Sequence, residues 1–331
     1  MFSYLQHRTD CARKHDQLRD TLDRVPAAYL DPPSDADAKI LALSLAQLTA
    51  ACADHVIDPA DILHAYGKRA LAAHAATNCL ADLFFHEAER AAALLALSSP
   101  SSAGAGAQDD HDGSRKPSKP LAGVPVGIKD CIDVAGHDTT LGFSANANRP
   151  ARADAPLVRL LRDAGALIYA KTTLPTACLS FECSSDLFGA TTNPYNPAFS
   201  PGASTGGGAA LLAWHGSLVD VGTDIGGSTR YPAAHCGLYA VKSTLGRFPS
   251  TGCASCTPGL EAVPTVTAPL ARTLDDLEEF WRRVVEMRPW EYDHTVSMGV
   301  CARPPRVRRG PCCFAGAPAP LCGLGSLDCE R

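Results

Sequence analysis

The chain has 331 residues, 46% hydrophobic and 20% charged, enough to bury a sizeable core as one large domain or two smaller ones. A formal net charge of −5 and a pI near 6.1 leave no basic footprint, which argues against nucleic acid or an anionic membrane as partner. The fourteen cysteines follow no repeating spacing and are read as reduced thiols rather than a disulfide framework.

Met1 to Asp20 mixes His, Arg, Asp and Lys without an apolar run. It is read as neither a signal peptide nor a membrane span, and a cytoplasmic location is the expectation. Helical patterning follows over residues 35–98, through Ile40, Leu41, Leu43, Leu45 and Leu48, then Leu80, Leu83, Phe84, Ala88 and Ala91. This predicts an N-terminal helical layer over 1–97. Residues 98–120 are small, polar and rich in Pro and Gly, the composition of a surface linker.

From residue 121 short apolar runs alternate with helix signals. Val124 to Ile128 reads as a strand. A helix then runs from Asp154, whose carboxylate is expected to cap it, to Gly165, which ends it, and Leu167 to Ala170 is the next strand. A helix over Gly207 to Trp214, a strand over Leu218 to Val221, a helix after Ser228 and a strand over Leu238 to Val241 continue the alternation. The pattern predicts an α/β sheet with helices on both faces. Cys253 and Cys256 have zinc-ribbon spacing, but no second pair follows, so a plain loop is the better reading and no metal is expected. Thr273-Leu274-Asp275-Asp276 resembles a capping box, with Asp276 for the usual Glu or Gln, opening a helix through Phe280, Trp281, Val284 and Val285. The core is taken to end at Ser297, and the Cys/Pro/Arg-rich tail over 298–331 shows no period and receives no fold.

The most unusual feature is a pair of glycine-and-hydroxyl turns, Pro201-Gly202-Ala203-Ser204-Thr205-Gly206-Gly207-Gly208 and Asp224-Ile225-Gly226-Gly227-Ser228-Thr229-Arg230. Glycine lets a backbone turn sharply and bring its amides close to a ligand, and a helix N-terminus adds a positive dipole. Phosphate binding is one reading, but the first turn lacks the Lys-Ser/Thr ending of a P-loop and neither has a dinucleotide spacing. A second reading is an oxyanion hole, with the amides of Ile225, Gly226, Gly227 and Ser228 facing the oxygen that becomes negative when Ser228 attacks a carbonyl. The third is that both are ordinary turns. A serine nucleophile needs a base. None of the eleven histidines sits in a distinguishing motif, and His235, seven residues after Ser228, reads as a helix-end residue. Lys129, at the end of an apolar strand, is another candidate: burial disfavours a charged ammonium, and a neutral amine accepts a proton. Taken alone, Lys129 beside Asp130 also reads as half of an ion pair.

The segments GVPVGIKDC, DAPLVRLLRDAGA, SFECSS, TTNPYNPAFSPGAST, GTDIGGSTR and PWEYD, in order from about Asn78 to Ser297, resemble the amidase signature family and its fungal acetamidase-like branch. The resemblance implies a mixed sheet core and a triad of Lys129, Ser204 in a cis peptide and Ser228 as nucleophile, without cofactor. It further implies that Cys178, Ile225, Gly226 and Gly227 line the acyl pocket, and that Asp224, Arg230 and Thr205 brace the two turns. The expected activity is hydrolysis of a small, acetamide-like amide through an acyl-enzyme. A homo-oligomer is compatible with the sequence, which sets no oligomeric state.

The family's first turn usually reads Gly-Gly-Ser-Ser-Gly-Gly-Glu. Here Ala203 adds a Cβ next to the implied cis bond, a strain of ~1 to 2 kcal/mol if that residue has a positive φ, Thr205 keeps a hydroxyl, and Gly208 replaces a glutamate. Members of this branch also continue well past Met287, so the chain reads as lacking the C-terminal part of the fold, with an open sheet edge. Two other functions compete: an inactive fragment or pseudoenzyme, and a glutaminase subunit of a tRNA-charging complex, against which the acetamidase-like motifs speak.

Overall fold

The computed structural model describes residues 2–97, 119–260 and 262–299. Most of the 98–120 linker and the tail from residue 300 lie outside the described residues.

The helical layer begins with α1 (Phe2–Asp23), a largely polar helix held to the body by a buried pair, Lys14 Nζ to Asp138 Oδ2 at 2.9 Å. Then come α2 (Asp35–Leu41) and α3 (Leu45–Ala53), opened by Ser34 and Ser44. Each caps reciprocally with the residue three on, Asp37 and Gln47. In α4 (Pro59–Thr77), Asp58 caps, Pro59 occupies the first turn, and Asn78 closes the helix in the left-handed region.

Leu80 to Leu83, expected to be helical, instead form strand β1 (Leu80–Leu83), antiparallel to β3 at the sheet edge. The cause is tertiary: Asn78 stops α4, and pairing satisfies backbone groups that a short helix would leave open. Helix α5 (Phe85–Ala96) follows.

In the remainder, β2 (Pro125–Lys129), α6 (Pro156–Asp163) and β3 (Leu167–Thr172) come first. A two-stranded ribbon, β4 (Ser184–Ser185) and β5 (Gly189–Ala190), leads to α7 (Gly206–Ala213) and β6 (Val219–Asp224). The last elements are α8 (Arg230–His235), β7 (Tyr239–Ala240), β8 (Val266–Ala271) and α9 (Leu274–Glu286). The expected cap of α6 is corrected. Asp154 makes no cap; its carboxylate accepts from Ala135 N at 2.8 Å and pairs with Arg162 at 3.2 Å, while Pro156 begins the helix after Ala155. Gly165, at φ +89°, does end it.

The main sheet runs β1-β3-β2-β6-β8-β7. Strands β3, β2 and β6 are parallel, and the flanking strands are antiparallel. One face of the sheet, with Val126, Ile128, Val219 and Val221, packs with α3, α6 and α9 through Leu45, Leu48, Leu160, Leu161, Phe280 and Val284. The other, with Leu167 and Tyr169, packs with α4, α5 and α7 through Leu63, Ala70, Phe85, Ala88 and Leu211. The fold is α/β, with a mixed sheet between helical layers. Among the described residues, no single helix is long and apolar enough to cross a membrane. Because the three parallel strands end together, Lys129, Thr172 and Asp224 share one edge, where ligands collect in open α/β sheets.

The Thr273 cap forms: its hydroxyl accepts from Asp276 N at 3.1 Å and donates to Asp276 Oδ2 at 2.7 Å. It is not a reciprocal box, because Asp276 Oδ1 accepts from Leu45 N at 2.7 Å, which ties α9 to α3. Thr273→Ala is expected to cost about 1 kcal/mol and Phe280→Ala, at a fully buried site, about 3–5 kcal/mol, both read by urea denaturation.

Candidate active site

Lys129 is the last residue of β2 and is fully buried. Its Nζ lies 2.6 Å from Ser204 Oγ and donates to Thr223 Oγ1 at 3.0 Å and, more weakly, to Thr223 O at 3.5 Å. The ion pair with Asp130 does not form, and among the described residues Lys129 makes no salt bridge. Asp130 instead accepts from Thr140 N, Thr140 Oγ1 and Leu141 N at 2.9–3.0 Å, turning away to hold the next loop. Thr223 is a contact that sequence reasoning missed. The strand was expected to end at Val221, and its longer course to Asp224 carries Thr223 to the amine.

Ser204 is buried in the turn before α7, and its peptide bond with Ala203 is cis. The positive φ in this turn falls on Gly202, at +80°, and Ala203 does not share it. The strain feared for a Cβ at 203 therefore does not arise there. Gly202 is needed for a second reason, since a Cβ on it would come within 3.0 Å of the Pro232 backbone. The two glycine turns are joined directly: Thr205 N donates to Ser228 O at 2.9 Å. The Thr205 side chain is buried against Gly222, where a Cβ would meet Thr205 Oγ1 at 2.5 Å.

Ser228 is half-buried just before α8, and its hydroxyl makes no hydrogen bond among the described residues. The turn around it is organised by Asp224. Oδ1 accepts from Gly227 N at 2.8 Å and Arg230 Nη2 at 2.9 Å, and Oδ2 accepts from Thr229 N and Oγ1, each at 3.0 Å, and from Arg230 Nε at 3.1 Å. Burial alone raises a carboxyl's pKa; here Arg230 and the amide and hydroxyl donors outweigh it and hold Asp224 well below the usual carboxylate range. One consequence corrects the sequence reading. The Gly227 amide, expected to face an oxyanion, is engaged by Asp224, whereas those of Ile225, Gly226 and Ser228 make no hydrogen bond among the described residues.

Cys178 ends a tight turn in which Ala177 and Cys178 both have positive φ, +62° and +56°. Its thiol faces Cys131, Lys129 and Ser204. The Cys131 hydrogen bond leads in lowering its pKa, Lys129 and Ser204 add to the effect, and burial opposes it. Cys131 is the second neighbour not anticipated. Cys253 and Cys256 lie in a loop, where Cys253 packs near Thr267, and His235 ends α8 as expected. A cavity of about 890 Å³ lies elsewhere, between α1, β1 and the 136–150 loop, and none of Lys129, Ser204 and Ser228 lines it.

A strand-end lysine, a serine turn and a second serine turn thus meet at the carboxyl ends of the parallel strands. The chain matches the Amidase family over residues 61–309 and belongs to that family. It is 37% identical over 247 residues to Amidase 2 of Gibberella moniliformis, covering 74% of this chain and 46% of that protein. It is 34% identical to Acetamidase of Emericella nidulans over 80% of this chain and 46% of that one. A solved structure of Fatty acid amide hydrolase matches with a TM-score of 0.78 at 25% identity, over 92% of this chain and 55% of its own. The chain spans about half the length of the curated relatives it matches.

Asp224→Asn is expected to lower stability by about 1–3 kcal/mol near neutral pH. Because the folded-state pKa of Asp224 is depressed, its contribution is present above the unfolded pKa near ~4 and is lost as pH falls below it. Urea denaturation of both proteins across the acid range should show the gap closing as pH drops.

Proposed function

We propose that this chain hydrolyses a small carboxylic acid amide, acetamide-like, to the acid and ammonia, with Ser228 as nucleophile and Lys129 and Ser204 as its proton relay. The observation that carries this reading is the buried 2.6 Å contact between Lys129 Nζ and Ser204 Oγ, in a turn bonded to the backbone of Ser228. No carboxylate lies within ion-pair distance of the amine among the described residues, and the contact sets an amine and a hydroxyl where a proton can pass between them.

In this mechanism Lys129 takes the proton of Ser204 Oγ as Ser204 takes that of Ser228, and Ser228 Oγ attacks the amide carbon. Charge on the carbonyl oxygen is met by the amides of Ile225, Gly226 and Ser228. Gly227 contributes shape rather than a donor: a Cβ there would lie 2.3 Å from the Tyr231 ring. The relay then returns a proton to the departing nitrogen, the C–N bond breaks, and ammonia leaves an acyl group on Ser228. Water, deprotonated through the same relay, attacks the ester and releases the acid. Cys178 stands beside Ser204 as part of the acyl pocket, and Asp224 and Arg230 hold the nucleophile turn. An acetamide-like substrate is supported by the named acetamidase relative.

Purified protein incubated with acetamide and with an aryl amide is expected to release ammonia or amine, and Ser228→Ala to lower kcat by roughly 10⁴-fold or more. Lys129→Met and Ser204→Ala should each lose about 10²–10⁴-fold, with little further loss when combined. Unchanged release by Ser228→Ala sinks the assignment, and failure of a fluorophosphonate to label the wild type favours an inactive fragment.

A further inference from the structure

One buried ionisable group has no task in that mechanism. Asp220 lies in the middle of β6, fully buried, opposite Gly127 on β2 and Leu270 on β8. Among the described residues neither of its carboxylate oxygens has a hydrogen-bond partner. A buried carboxyl without partners is costly, so a fold that keeps one invites an explanation.

Its surroundings supply one. A Cβ on Gly208, in the first turn of α7, would come within 2.1 Å of Asp220 Oδ1, and a Cβ on Gly127 within 2.2 Å of Oδ2. The carboxyl group is therefore clamped between β2 and the glycine turn that follows Ser204, at the positive end of α7. A side chain at 208 and a carboxylate at 220 exclude each other, and Gly208 is where the family pattern carries a glutamate. Lys129 is on the adjacent strand and interacts electrostatically with Asp220. Tyr169 on β3 and Cys79 before β1 also feel it; the residues of α7, GGGAALLA, bring no titratable group.

We propose that Asp220 is a positioning residue: from β6 its carboxylate holds the opening turn of α7, and with it Ser204, against Lys129. The proposal rests on the triad reading above. Burial raises the Asp220 carboxyl to about 7, with Lys129 pulling the other way. Stability and activity then respond oppositely to pH. A raised folded-state pKa gives a stability contribution that is complete below the unfolded value and lost as pH rises through about 7. The charged form, needed at the helix end, appears over the same range.

Three variants test this. Asp220→Asn is expected to lower kcat roughly tenfold to a hundredfold with little change in KM, and to remove from the kcat profile a limb that rises through about pH 7. Asp220→Gly should lose activity similarly, and Gly208→Glu combined with Asp220→Gly should restore most of it by returning a carboxylate from the helix side. Thermal unfolding supplies a readout independent of turnover: the wild type should lose stability relative to Asp220→Asn between about pH 4 and 7. An unchanged kcat and limb in Asp220→Asn, a double variant no better than Asp220→Gly, or parallel stability profiles would overturn the proposal. Wild-type protein that a fluorophosphonate does not label places the failure in the triad reading; labelled wild type with unaltered Asp220 variants places it here.

Discussion

The contact between Lys129 Nζ and Ser204 Oγ is the constraint around which the rest is arranged. An amine with no exposed surface is tolerated only if its polar atoms find partners. Here those partners are hydroxyl and carbonyl oxygens, of Ser204 and Thr223, rather than a carboxylate. Three separate pieces of chain must be in place for this: the end of β2, the turn before α7 and the end of β6. The sheet provides two of them through parallel pairing, with Ile128 opposite Val221. The third is held by the Thr205 to Ser228 backbone bond and by packing of Thr205 on Gly222.

Glycine recurs in these contacts because the backbones approach so closely. At Gly202 the requirement is conformational, and at Gly222 and Gly208 it is space for a neighbouring side chain. Asp224 does complementary work with charge, gathering amides and the Arg230 guanidinium around the turn that presents Ser228. Its cost is one backbone donor, that of Gly227.

Much of the fold was legible because its signals are local. The apolar run ending at Lys129, the Gly165 stop and the Thr273 start all follow from periodicity and end chemistry, and each element appears close to its expected bounds. Legibility failed where distant partners decide. Leu80 to Leu83 keep a helical pattern yet pair with β3. Asp154 has the composition of a cap yet binds Ala135 and Arg162, since Pro156 already opens the helix. Lys129 and Asp130, adjacent in sequence, reach different partners because β2 ends at Lys129 and Asp130 already belongs to the following turn, where its carboxylate binds Thr140 and Leu141.

The sequence by itself determined which groups are available: two glycine-and-hydroxyl turns, a lysine at a strand end, and the order of motifs that marks the family. Only the tertiary structure decided how they meet. It put Thr223 and Cys131 beside the amine and thiol, gave the Gly227 amide to Asp224, set the positive φ of the first turn on Gly202 and not on Ala203, and placed Asp220 under α7. The reason is that chain order records what each residue offers, whereas hydrogen-bond partners and burial depend on strand register and helix packing between segments far apart in sequence.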